Sequence, residues 1–258
     1  MPCTTCHLWP AITSNHLCSG CASAAPGWPL SYRSPRALAI AVTVLLSLCA
    51  AVRLALLVMN IRLYGMTGDV LADIRSADGE LIGRLTDIDA ALDGGHLLVE
   101  IVTAIVFIIW FHRVRANAGL FVPTGHTFGK GWAIGGWFTP FVALWIPWRM
   151  AADNWQASAP LGGDGERRFV PHTVVSLWWV SFVGAVMATR LGGILIHPDV
   201  DAIRSAVRVL IAGDVLEVVA AGLAITMVWR LTGMQDKRAA VYNPWSTSPV
   251  TAPAAPGH

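Results

Sequence analysis

Charge is scarce in this chain: only 13% of its 258 residues are Asp, Glu, Lys or Arg, and the net charge is +2. A soluble domain of this length carries about twice that fraction of charge. No stripe of basic residues interleaves with exposed aromatics, so a nucleic-acid partner is not expected. Catalytic motifs are missing as well. There is no glycine-rich phosphate loop, no nucleophile elbow and no paired-histidine metalloprotease helix, so an enzyme is not expected. Cysteine is sparse beyond the first 21 residues, where four of the five cysteines lie. That clustering excludes a disulfide framework spread through the fold and points to a metal site.

What the chain has is apolar sequence, 55% by residue type with a mean hydropathy of +0.56, and twelve tryptophans. Tryptophan favours membrane interfaces, where its ring is apolar and its N–H finds a wet partner. Four stretches are apolar enough to span ~30 Å of hydrocarbon at ~1.5 Å rise per residue: residues 37–61, 96–113, 172–196 and 206–231. The first starts far from the N-terminus behind a polar leader, with no small-residue cleavage site after it, and reads as an uncleaved span. Between the first two spans, Leu81, Leu85, Ile88 and Leu92 recur at helical spacing among acids, the pattern of a short surface helix. Residues 22–36 read as a Pro/Ser/Ala-rich linker, and residues 236–258 as a disordered tail.

A fifth stretch, "WAIGGWFTPFVALWIPWR", is apolar but broken. Gly135–Gly136 weaken helix propensity, and Pro140 and Pro147 each remove an amide donor. In lipid, such breaks survive only where protein or a wet cavity satisfies the freed backbone. The basic residues weigh in the same direction. With four spans and the N-terminus inside, the inner side holds eleven Lys/Arg and the outer side five: Arg62, Arg75, Arg84, Arg204 and Arg208. With five spans the split is seven inside and nine outside. The positive-inside rule therefore favours four spans, with residues 131–148 re-entrant or interfacial; five spans is the alternative. Both termini are then cytoplasmic, in a cell-membrane protein whose immediate partner is the lipid bilayer.

The two helical hairpins resemble each other. "AVRLALLV" in the first span matches "ATRLGGIL" in the third, and "LVEIVTAIVFIIWFHRV" in the second matches "VLEVVAAGLAITMVWRL" in the fourth. Each hairpin carries an arginine (Arg53, Arg190) in its first helix and a glutamate (Glu100, Glu217) in its second. A lone charge in the bilayer costs at least ~2.5–3.5 kcal/mol on insertion scales, so partners are expected. The depths predict Arg53–Glu100 and Arg190–Glu217 pairs, acting either as structural ion pairs or as a polar path for a proton, ion or small solute. Asp214, one turn before Glu217, has no matched partner and is the further candidate for a polar path.

Cys3-x-x-Cys6 and Cys18-x-x-Cys21, eleven residues apart, have the paired spacing that wraps a tetrahedral metal. Four thiolates suit structural zinc, with iron as the alternative. A cytoplasmic, reducing location keeps the thiols available. Cys49 lies within the first span and reads as a buried small residue. The remaining histidines (His96, His112, His172, His197) fall near membrane ends, and no pair is placed to hold haem.

Residues 112–158 resemble the family called domain of unknown function 4328 (DUF4328). The likeness rests on "RANA" after a span, on the core of Trp132, Gly135, Gly136, Trp137, Phe138 and Pro140, on Pro147, and on Arg149 and Trp155 after it. It extends over roughly residues 37–235. The resemblance implies a multi-span membrane protein of the kind found mostly in actinobacteria, with no established activity. Many members carry a cysteine-paired leader. This chain departs from them in having His7 and Ala22 where a glycine often follows each pair. The expectation is an all-α integral membrane protein of four transmembrane helices in two repeated hairpins, with a Trp-rich segment and a zinc-ribbon-like module at residues 1–21. Two functions fit: a membrane adaptor or sensor that recruits cytoplasmic protein partners through the zinc module, or a small transporter or channel built on the intramembrane Arg/Glu pairs. Oxidoreductase chemistry is a distant third.

Overall fold

The fold is taken from a computed structural model, which describes Cys3, Pro10 and residues 32–74, 79–122, 126–161, 168–195 and 200–242. The described residues are helical, with no β-sheet. Helix α1 is Arg36–Ile74, α2 is Gly79–Phe121, α3 is the single turn Trp132–Gly135, α4 is Ile146–Ala157, α5 is Thr173–Leu195 and α6 is Val200–Tyr242. A 3-10 turn, Val142–Leu144, lies between α3 and α4.

Four of these helices contain a stretch long and apolar enough to cross a bilayer: Arg36–Val58, Gly95–Phe121, Thr173–Leu195 and Arg204–Ala240. Only 11–28% of the most apolar window of each is buried against protein, so most of the apolar surface faces outward. Val180 and Ile194, about 70% exposed, are typical. Water would penalise that surface, and hydrocarbon does not. This is a membrane protein with four candidate spans. Its helices continue past the apolar stretches. The amphipathic pattern around Leu81–Leu92 is the first part of α2 rather than a separate surface helix, and α1 runs on beyond residue 61 to Ile74.

In space, α5 packs along α6, α6 along α1, and α1 along α2. The outer members of this row, α2 and α5, stand apart, and the chain between them fills one end of the gap. Trp137 packs edge-on against Phe107 and Phe111 of α2, at centroid distances of 5.8 and 6.0 Å, and against Trp179 and Phe182 of α5 at 6.0 and 6.5 Å. Phe107 lies fourteen residues before the end of α2, about 20 Å along the axis at ~1.5 Å per residue. The broken segment thus reaches well into the bundle, yet none of its helices is long enough to cross. Gly136 makes this approach feasible: a Cβ there would stand 2.7 Å from the Trp132 carbonyl and 2.9 Å from Ile146 Cγ2. Pro147 opens α4 in its first turn, where a missing N–H costs nothing. Phe138, Phe141 and Trp145 point outward, and Phe141 takes the strained φ of 62° that turns the chain into the 3-10 helix.

The end of the bundle near Arg36 is closed by polar contacts. Gln235, fully buried, donates to Val114 O (2.9 Å) and Ser158 Oγ (3.1 Å) and accepts from Asn117 Nδ2 (3.0 Å). Asn117 also donates to Arg33 O at 3.0 Å, and Tyr32 and Ser34 both donate to Asp236, at 2.6 and 2.9 Å. Arg238 donates to Ala159 O and sits 5.5 Å from the Phe121 ring. The buried amides of Gln235 and Asn117 thus tie four segments together, which fixes their register.

Candidate functional site, a charged cluster at the end of an apolar cavity

The opposite end of the row holds the charges. Arg53 of α1 reaches Glu100 of α2 through Nη2 at 2.9 Å, and Glu217 of α6 through Nε at 2.9 Å. Asp214, one turn from Glu217 on α6, lies 3.8 Å from Arg53 Nη1. One guanidinium thus serves three carboxylates from two other helices. The Arg53 side chain is 19% exposed, and those of Glu100, Glu217 and Asp214 are 35%, 28% and 9% exposed. His96, one turn before Glu100 on α2, brings Nδ1 to 3.5 Å from Glu100 Oε1. Cys49 and Thr103 lie 3.3 Å apart just below, and Thr103 donates to Val99 O at 2.7 Å.

This cluster caps a cavity of about 810 Å³ between α1, α2, α5 and α6. Its walls are apolar, with Leu46, Ile108, Val186 and Ala221 among them, and Phe107, Trp137 and Trp178 form its aromatic floor. The cavity is not fully enclosed, and of the four helices that line it α2 and α5 do not pack along each other. Its size falls within the ~300–1,000 Å³ typical of ligand sites.

The expected Arg53–Glu100 pair forms. The expected Arg190–Glu217 pair does not: Glu217 turns to Arg53, and Arg190, exposed on α5 and lining the same cavity, makes no ion pair among the described residues. The reason is packing. Helix α6 lies against α1 as well as α5, and the face carrying Asp214 and Glu217 meets α1. Asp214 accordingly has a partner that the hairpin symmetry did not provide. His96 escaped notice as a site residue, although its i,i+4 spacing to Glu100 was a signal.

The broken segment supplies the floor rather than the charges. Of its motif residues, Trp137 lines the cavity and Gly136 sits under Ile146, whereas Trp132 and Phe138 are 42% and 72% exposed, and a Cβ at Gly135 would meet nothing within 4 Å. Of the leader cysteines, Cys3 is buried; Cys6, Cys18 and Cys21 lie outside the described residues. The disordered tail expected from residue 236 falls partly on α6, which runs to Tyr242; the rest lies outside the described residues.

No curated protein and no solved structure matches the chain. A family profile does match, over residues 79–233, taking in Glu100, Asp214, Glu217 and the whole broken segment but not Arg53. A chain matched over more than half its length, with the four candidate spans just described, is a member of the family described as Domain of unknown function (DUF4328).

Proposed function

We propose that the membrane domain is a transporter-class binding unit for a small amphiphile, a molecule with an apolar body and a charged head taken from the plane of the bilayer. The observation that carries this is the incompletely enclosed cavity, with its apolar walls and its charged end. An apolar body gains ~25 cal/mol per Å² on leaving water, but almost nothing on leaving lipid. Selectivity must therefore come from the charged end, where Arg53, Arg190, Glu100 and Glu217 offer both signs. The Gly/Pro-broken segment acts as a re-entrant floor, the kind of element that lies beside transport sites.

Native mass spectrometry of the detergent-purified chain tests this. An amphiphile should remain bound to the parent and be lost in Gly193→Phe, which places a ring in the cavity where a Cβ meets nothing within 4 Å. A parent that carries no such molecule, or a variant that retains it equally, would overturn the proposal.

The paired cysteine spacing favours a second role: a cytoplasmic zinc module at residues 1–21 that recruits protein partners, with the bundle as anchor. The excess of Lys/Arg on the side of the termini supports their cytoplasmic placement in the cell membrane. Elemental analysis decides the metal. About one zinc per chain, lost in the Cys3→Ser/Cys6→Ser variant, supports the module; iron with visible absorbance moves it to redox chemistry; no metal removes it.

A further inference from the structure

We propose that His96, Glu100 and Glu217 hold a divalent transition-metal cation at the charged end of the cavity. One ligand atom from each of the three side chains lies within 4.8 Å of the other two. His96 and Glu100 stand one turn apart on a single face of α2, and Glu217 comes from α6, so the cation would tie these two helices together.

Two independent observations point to a cation. The first is charge. Glu100 and Glu217 share the single guanidinium of Arg53, so these two carboxylates carry one more negative charge than that guanidinium neutralises. Uncompensated charge inside a membrane span is costly, and a bound cation offsets it. Arg53 engages Oε1 of Glu100 and Oε2 of Glu217. Each carboxylate has a second oxygen, so the guanidinium acts as the outer-shell partner that orients metal-ligating carboxylates. The second observation is His96 itself. Its side chain is only 8% exposed, and its Nε2 is buried with no hydrogen-bond partner among the described residues. The other nitrogen, Nδ1, already faces Glu100 at 3.5 Å, so the ring has a nitrogen beside the carboxylates and another free of competing hydrogen bonds among the described residues. The donor set of one imidazole and two carboxylates suits Mn²⁺, Fe²⁺ or Zn²⁺ and leaves coordination positions open toward the cavity.

The test uses Mn²⁺, because a hard cation does not favour the thiolates of the leader. The full chain in detergent is treated with chelator, passed through a desalting column and titrated with Mn²⁺, with free ion followed by electron paramagnetic resonance. One equivalent per chain should bind. Glu217→Gln and His96→Gln should each weaken binding by about tenfold or more, and Cys3→Ser/Cys6→Ser should leave it unchanged. His96→Gln keeps every ion pair of Arg53, so its effect is readable even if Glu217→Gln fails to fold. Binding well below one equivalent, binding that His96→Gln leaves intact, or binding lost with the leader cysteines would overturn the proposal. Retention of an amphiphile is read separately, so either proposal can fail alone.

Discussion

Replacing Arg53 by methionine keeps most of the side-chain volume and removes the charge that three carboxylates share. Breaking a buried ion pair from one side costs about 3–5 kcal/mol, mostly because the partners stay buried and uncompensated. Here Glu100 and Glu217 are 35% and 28% exposed, and only Asp214 is nearly enclosed, so partial hydration puts the expected loss near the lower end, about 3 kcal/mol. The loss should be recoverable. Combining Arg53→Met with Glu100→Gln, Asp214→Asn and Glu217→Gln removes both signs, and stability should return to within about 1 kcal/mol of the parent, since a buried ion cluster rarely outperforms a neutral replacement. Reversible unfolding in mixed micelles, followed by tryptophan fluorescence with chelator present, gives the cycle. The reasoning fails if Arg53→Met alone changes stability by less than about 0.5 kcal/mol, or if the quadruple variant is no more stable than the single one.

Two further outcomes follow from local geometry. Gly136→Ala should cost about 1–3 kcal/mol, because its Cβ would meet Trp132 O at 2.7 Å and Ile146 Cγ2 at 2.9 Å; its neighbour Gly135, with nothing within 4 Å, should accept alanine within about 0.5 kcal/mol, as a thermal-shift comparison would show. His126, in the connection after α2, is held below the ordinary histidine range first by burial and then by the nearby Arg115 guanidinium. The fold therefore prefers the neutral ring: its contribution is complete above about pH 6.5 and is lost as pH falls through the lower folded-state value. Melting temperatures measured from pH 7.5 to 5 should decline less in His126→Gln than in the parent.

Hydropathy alone located the four spans, because a bilayer demands about 20 consecutive apolar residues and rewards little else. The predicted 172–196 and the observed Thr173–Leu195 differ by one residue at each end. The Arg53–Glu100 pair was legible too, since adjacent antiparallel helices bring residues of similar depth together. What escaped was rotation. Nothing in the sequence says which face of α6 meets α1 and which meets α5, and that choice sends Glu217 to Arg53 rather than to Arg190. The interior of 131–148 was legible as a break, from its glycines and prolines, but not as the floor of a cavity. That role depends on Trp137 reaching aromatic rings on α2 and α5 that lie far away in the chain.

The sharing of Arg53 among three helices also sets an order for biogenesis. As the chain emerges from the ribosome, α1 enters the membrane before α2 and α6, ahead of the carboxylates that pair with Arg53. Glu100 arrives with the next helix and neutralises it, so the opening hairpin can rest in lipid as a charge-balanced unit. Asp214 and Glu217 come later, more than 150 residues after Arg53, and join a guanidinium that Glu100 already holds in place. The final helix thus carries its own docking address. It packs along α1 as well as α5, so the step that seats it also joins the two hairpins.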